Sequence, residues 1–345
     1  MTTNMSYRNA LKEALKAEMQ IDSQVFVFGL DVDDHKSIFG STDQLLQQFG
    51  SDRVFGTPLS EDAMTGFAIG AALAGRKPVH IHIRADFSLL AVNQLVNMAS
   101  NVHYLTAGQL SVPITIRMVI GRGWGQGLQH SKSVHSLFSH FPGLKVFMPS
   151  SPQEAYSLLR QAVQDPNPVI FIEHRWLYDV EGPVDLELKQ LPSVTRVTEG
   201  RHITVVANSW MTIEAMKAAD FLRTYRIELD ILSVNQITSL DYTQLSDSVK
   251  KTGHCILVDH DWNEFGLNSE LSANLNEYCF GFLKKPVKRI GQKFVPCPTA
   301  RNLENVFYPK AQDIIRSALT MYQIDIPELK DEEFYTYENK FKGPF

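Results

Sequence analysis

The chain alternates between short unbroken apolar runs and longer stretches in which apolar residues recur at helical spacing. From Tyr7 to Gln20 the apolar positions fall three and four apart, with Glu13 and Glu18 between them, which predicts a first helix with one buried face. Val25-Phe26-Val27-Phe28 is too short for a helix and apolar on both faces, as in a central strand of a parallel sheet. Short strands then alternate with helical segments: a strand at Pro78 to Ile83, a helix around Leu89 to Ala107, and a strand at Pro113 to Ile120. A helix from Pro152 to Gln164 and a strand at Val169 to Glu173 follow. Such alternation predicts an α/β fold with a parallel sheet covered by helices. Between Glu181 and Arg201, Gly182, Pro183 and Pro192 stand among charges without periodicity, and this stretch reads as a linker.

A second α/β series succeeds it. Strands are expected at Ile203 to Ala207, Leu229 to Leu232, Cys255 to Val258 and Val287 to Ile290, with helices at Met211 to Arg223 and Leu245 to Lys251. The resulting division is a first α/β domain over 1–185, a linker over 186–200, a second α/β domain over 201–324 and a tail over 325–345. The tail is charged but holds Tyr335, Tyr337, Phe341 and Phe345, as a segment packing on another subunit would.

Composition agrees with two domains: 345 residues, of which 44% are hydrophobic, can fill two cores. The net charge of −5 leaves no basic footprint for nucleic acid or an anionic membrane. Cys255, Cys279 and Cys297 are far apart and form neither a disulfide framework nor a zinc pattern, which fits a reducing cytoplasm. No apolar run approaches membrane-spanning length, and the acids of the first helix are unlike a targeting leader.

The richest stretch for chemistry is Thr57-Pro58-Leu59-Ser60-Glu61-Asp62-Ala63-Met64, followed by Gly66-Phe67-Ala68-Ile69-Gly70-Ala71-Ala72. Pro58 and Ser60 read as a turn and N-cap, with the acids in the first turn where the helix dipole favours them. That alone explains a Ser-Glu-Asp, so a further role for Glu61 needs the rest of the chain. Gly121 to Gly127 has glycine on alternate residues after a strand, but Gln126 falls where a dinucleotide loop needs its third glycine, and no Gly-Lys-Ser/Thr follows. His130 closes this loop, a position suited to steadying a developing alkoxide or relaying a proton. His80 and His82 share one strand face, and His130, His135 and His140 recur every fifth residue; neither pattern has the acids or cysteines of a zinc site.

Taken in order, these segments resemble the beta subunit of the thiamine-diphosphate-dependent decarboxylating component of 2-oxo acid dehydrogenases. The resemblance is carried by Thr57-Pro58-x-Ser60-Glu61, Gly29-Leu30-Asp31-Val32, Phe87-Ser88 and Gly127-Leu128-Gln129-His130-Ser131. It continues through Pro142 to Val146, Asp165 to Val169 and Glu173 to Tyr178, and spans about Tyr7 to Leu319. It implies a thiamine-diphosphate pyrimidine-domain fold followed by a transketolase C-terminal-like domain. The cofactor becomes a nucleophile when its own imino nitrogen removes the C2 proton, which requires a carboxylic acid on the opposite pyrimidine nitrogen. By resemblance Glu61 is that acid, Phe87 stacks on the pyrimidine, His130 stands beside the reactive carbon, and Leu30 and Asp31 border the cofactor. The family also holds potassium with backbone carbonyls and an aspartate, and Ile114, Ala162, Asp165 and Asn167 match those positions.

No Gly-Asp-Gly occurs in the sequence, so Mg²⁺ and the diphosphate are expected to be held by an alpha-type partner in an alpha2beta2 assembly. Three departures bear on the reading. Leu30 replaces the usual family glutamate. Ile81 to Asp86 replaces a more acidic and aromatic stretch. Gly291 to Pro298 is one residue longer than the family turn and lacks the aspartate that helps dock a lipoyl acyltransferase. Oxidative decarboxylation with acyl transfer to lipoamide is the leading expectation. A split transketolase-like or acyloin-forming enzyme without a lipoyl partner, and a non-catalytic scaffold, remain the alternatives.

Overall fold

The computed structural model describes residues 2–121 and 126–334. The middle of the glycine-rich loop, 122–125, and the tail aromatics Tyr335, Tyr337, Phe341 and Phe345 lie outside the described residues. Two compact units account for the chain: one comprises 2–121, 133–192 and 236–239, the other 126–132, 193–235 and 240–334.

The first unit is built on a six-stranded parallel sheet. Its strands are β2 (Val25–Gly29), β3 (Val54–Gly56), β4 (Lys77–His82), β5 (Thr115–Ile120), β6 (Lys145–Phe147) and β7 (Val169–His174), in the order β3-β2-β4-β5-β7-β6. Nearly every residue of the four central strands is buried, which accounts for their continuous apolar runs. Two charges interrupt them. Arg117 of β5 donates from Nε and Nη2 to the Glu173 carboxylate of β7 at 2.5 and 2.9 Å, and the Tyr178 hydroxyl donates to Glu173 at 2.6 Å. Partnered in this way, a buried ion pair on neighbouring strands is tolerated.

The helix Tyr7–Ile21 starts at Ser6, whose hydroxyl accepts from the Asn9 N–H. It buries Leu11, Leu15 and Met19, and Glu18 on the same face accepts from Arg160 Nε at 2.6 Å. Arg160 belongs to the helix Pro152–Gln164, which has proline in its first turn and a side-chain cap from Ser151.

The second unit carries a five-stranded sheet of β9 (Val194–Thr198), β10 (Ile203–Ala207), β11 (Leu229–Val234), β12 (Cys255–Trp262) and β13 (Lys288–Gln292). The order is β13-β12-β10-β11-β9, parallel except for β9. Cys255, Cys279 and Cys297 are buried free thiols. Two parallel-rich α/β units are thus present, as expected.

Three local expectations change. The linker stretch supplies two strands: β8 (Glu181–Asp185), which pairs antiparallel with an unanticipated β1 (Thr2–Ser6), and the edge strand β9. The helix around Leu89 to Ala107 is instead a succession of short 3-10, π and α turns, Ala85–Ala91, Asn93–Ala99 and Val102–Leu105. Ser60 stands at the N-cap position of the helix Glu61–Leu73 but does not cap it; its hydroxyl meets the Asp62 carboxylate at 3.4 Å. Among the described residues no helix is long and apolar enough to cross a membrane.

Candidate active site

The chain leaves β2 toward β3 on one side and β4 toward β5 on the other, so the winding direction reverses between the adjacent strands β2 and β4. Parallel sheets open a crevice at the carboxyl ends of such a pair, where ligands bind. Gly29, the last residue of β2, allows the strands their close approach: a Cβ there would lie 2.4 Å from the Ile81 carbonyl oxygen, and its φ of +153° disfavours other residues.

A pocket of about 80 Å³ opens at this point, with Leu30, Glu61, Met64, His80, His82 and Phe87 among the residues around it. Leu30 follows β2 directly. Glu61 is the first residue of its helix and half-buried, and among the described residues lining the pocket it is the one carboxylate. Phe87 lies in the 3-10 turn Ala85–Ala91 and donates its backbone N–H to Arg84. Arg84 is buried with φ +86°, a backbone conformation that costs energy in a non-glycine residue and sets the turn beside the pocket. Asp31, also at positive φ, is exposed and is not a pocket residue. The structure therefore brings Leu30, Glu61 and Phe87 together and leaves Asp31 beside them.

The histidine pair proves more informative than its sequence spacing implied. His80 stacks on Phe28 at 4.5 Å and an angle of 11°, and its Nδ1 lies 3.3 Å from Thr65 Oγ1, one turn beyond Glu61 on the same helix. His82 packs 4.3 Å from His80, and its Nε2 is buried without a hydrogen-bond partner among the described residues. Burial pushes the pKa of His80 well down, helped by His82, and burial lowers that of His82 to about 4. Only the alternation of two histidines at the end of an apolar strand hinted at this stack.

A folded-state pKa below the ordinary value means that stability is complete above pH 6.5. It is lost as pH falls toward about 4, because the unfolded chain then binds protons that folded His82 refuses. The loss attributable to His82 is expected to be on the order of 3 kcal/mol. Urea midpoints between pH 7.5 and 5 should show the decline, and His82→Phe should make it shallower; equal slopes in the two proteins would remove His82 as its source. His80 and, in the second unit, His254 shift in the same direction through burial, so the change of slope in the variant reports His82 together with its effect on His80.

His130 belongs to the second unit, immediately after the 3-10 turn Gly127–Gln129, and its backbone N–H donates to the Gly127 carbonyl. The expected potassium residues gather at the amino-terminal edge of the first sheet, opposite the pocket. The Ile114 carbonyl accepts from the Val169 N–H at 2.9 Å and the Ala162 carbonyl from the Asp165 N–H at 3.3 Å. Asp165 accepts from the Asn167 N–H at 2.9 Å and also pairs with Lys145.

Residues 3–180 match the family described as "Transketolase, pyrimidine binding domain", and residues 193–314 match "Transketolase, C-terminal domain". The chain is 36% identical over 329 residues to the mitochondrial pyruvate dehydrogenase E1 component subunit beta of Pisum sativum, covering 94% of this chain and 92% of that one. It is also 37% identical over 307 residues to the 2-oxoisovalerate dehydrogenase subunit beta of Bacillus subtilis (strain 168), covering 88% of this chain and 94% of the other. The chain belongs to the E1 beta family of 2-oxo acid dehydrogenases. A solved structure titled "Split gene transketolase, inactive beta4 tetramer" superposes with a TM-score of 0.74, covering 93% of this chain and 99% of that one. At 20% identity this likeness concerns the fold alone.

The pocket suits the ring that this family's chemistry calls for. One carboxylate, one aromatic side chain, a buried polar nitrogen in want of a partner and walls of Leu30, Met64 and Ile81 together match a flat nitrogen heterocycle. They do not match a magnesium diphosphate, which needs several hard oxygen ligands.

Proposed function

We propose that the chain is the beta subunit of a thiamine-diphosphate-dependent 2-oxo acid dehydrogenase and supplies the pyrimidine half of the cofactor site. The observation that carries this reading is the meeting of Glu61, Phe87 and Leu30 in one pocket at the reversal of strand order, in a member of the E1 beta family. When bound, thiamine diphosphate supplies the nucleophilic carbon and electron sink for decarboxylation. Glu61 would hold and return a proton at a ring nitrogen of the bound cofactor. Phe87 offers an aromatic face to the ring, and Leu30, Met64 and Ile81 keep water from it. Asp31 is assigned to the rim of the cofactor site rather than to its floor.

The small pocket and its lone carboxylate favour a shared site, with an alpha-type partner holding Mg²⁺ and the diphosphate in an alpha2beta2 assembly. Mixing the chain with an alpha-type subunit carrying Gly-Asp-Gly and a later Asn tests this: decarboxylation of a 2-oxo acid should require both chains. Activity with a ketose donor alone would favour the split transketolase-like alternative. That second reading draws on the turn Gly291 to Pro298, where Lys293 and the 59% exposed Phe294 occupy the family's acidic docking position. A lipoyl acyltransferase partner accordingly stays outside the core proposal.

His130 is assigned to the steadying of negative charge on the reacting oxygen. His130→Ala should cost on the order of a hundredfold in turnover with little change in cofactor affinity; unchanged steady-state rates would return it to a loop-closing role. Ile114, Ala162, Asp165 and Asn167 are proposed to hold a potassium ion that ties strand β5 to the end of the helix Pro152–Gln164. The expected signature is a higher melting temperature in potassium than in sodium at equal ionic strength, and identical melting curves would remove the ion.

A further inference from the structure

We propose that His82 is a further binding residue of the Glu61–Phe87 pocket, making a hydrogen bond to the nitrogen heterocycle held there. The inference rests on the reading of that pocket as the pyrimidine site. Its own warrant is local. His82 is 3% exposed, it lines the pocket, and its Nε2 has no hydrogen-bond partner among the described residues. Burying such a nitrogen without a partner is costly, and a phenyl ring in its place would keep the packing without that cost.

Its neighbour differs on this point. His80 is stacked on Phe28 and met by Thr65 Oγ1, and so is fixed from two sides. His82 packs against His80 through its ring and leaves Nε2 unused. The terminal torsion of a histidine is soft, so a small ring rotation presents a nitrogen to the pocket. A neutral imidazole carries one donor and one acceptor nitrogen. An aminopyrimidine edge, which offers an N–H beside a ring nitrogen, can use either. The desolvation that holds His82 neutral keeps both options available at physiological pH.

Two variants test the proposal. In the chain alone, His82→Phe should raise the urea midpoint, because the unpartnered nitrogen is gone. In the assembly with the alpha-type subunit, His82→Phe should weaken thiamine diphosphate about tenfold by calorimetry. His82→Gln, whose amide offers a donor and an acceptor at similar reach, should recover most of that loss. A less stable Phe variant would make His82 an ordinary packed histidine and overturn the proposal. So would equal cofactor affinity in wild type and Phe variant, which would leave the reading of the pocket intact. Failure of the wild-type assembly to bind the cofactor would sink that reading and the His82 contact with it.

Discussion

Glu61→Gln, assembled with its alpha-type partner, is expected to lose at least ~10³-fold in turnover while folding and assembling normally. The amide keeps the size of the side chain at the head of the helix Glu61–Leu73, where Glu61 is half-buried, but it cannot give and take a proton. Exchange of the cofactor's C2 hydrogen with solvent, followed by NMR, separates this from a binding defect. Near-normal exchange in the variant would remove Glu61 from the mechanism. Asp62 serves as the internal control: it is exposed and not a pocket residue, so Asp62→Asn should leave exchange unchanged.

The chain alone is expected to bind thiamine diphosphate no more tightly than millimolar and to decarboxylate nothing. One hydrogen bond to Glu61, one stacking contact with Phe87 and one bond to His82 sum to a few kcal/mol before the cost of immobilising the ligand. A millimolar constant corresponds to about 4 kcal/mol. The diphosphate and its Mg²⁺ need oxygen ligands that a pocket with one carboxylate lacks. Micromolar binding by the isolated chain would place the diphosphate site within this sequence and end the shared-site reading.

Much of the first unit is legible because its strands are buried on both faces. Runs such as Val25 to Phe28 leave no alternation to misread, and Ser151-Pro152 announces its helix. The failures have local causes. Between Leu89 and Ala107 the apolar spacing is helical, yet Ser100 Oγ and Asn101 Nδ2 donate to the Val96 carbonyl at 2.6 and 3.1 Å and compete with the backbone ladder. Strand β1 is Thr-Thr-Asn-Met-Ser, which carries no strand pattern of its own and exists through pairing with β8. Glu61 and Phe87 are marked by family motifs, whereas the tilted contact of His80 with His82 and the unmet nitrogen depend on packing that no spacing encodes.

The pairing of β1 with β8 and of Glu18 with Arg160 also bears on biosynthesis. Glu18 and Arg160 are separated by 142 residues, so the helix Pro152–Gln164, the main packing partner of the first helix, is made long after it. At roughly 5–20 residues per second of translation, on the order of ten seconds pass before that partner can cover it. Throughout that interval Leu11, Leu15 and Met19, which the finished protein buries, are a hydrophobic stripe on a nascent chain. The first unit is therefore a late-closing one, and the ribosome-bound intermediate, rather than the finished protein, is the species most in need of a chaperone.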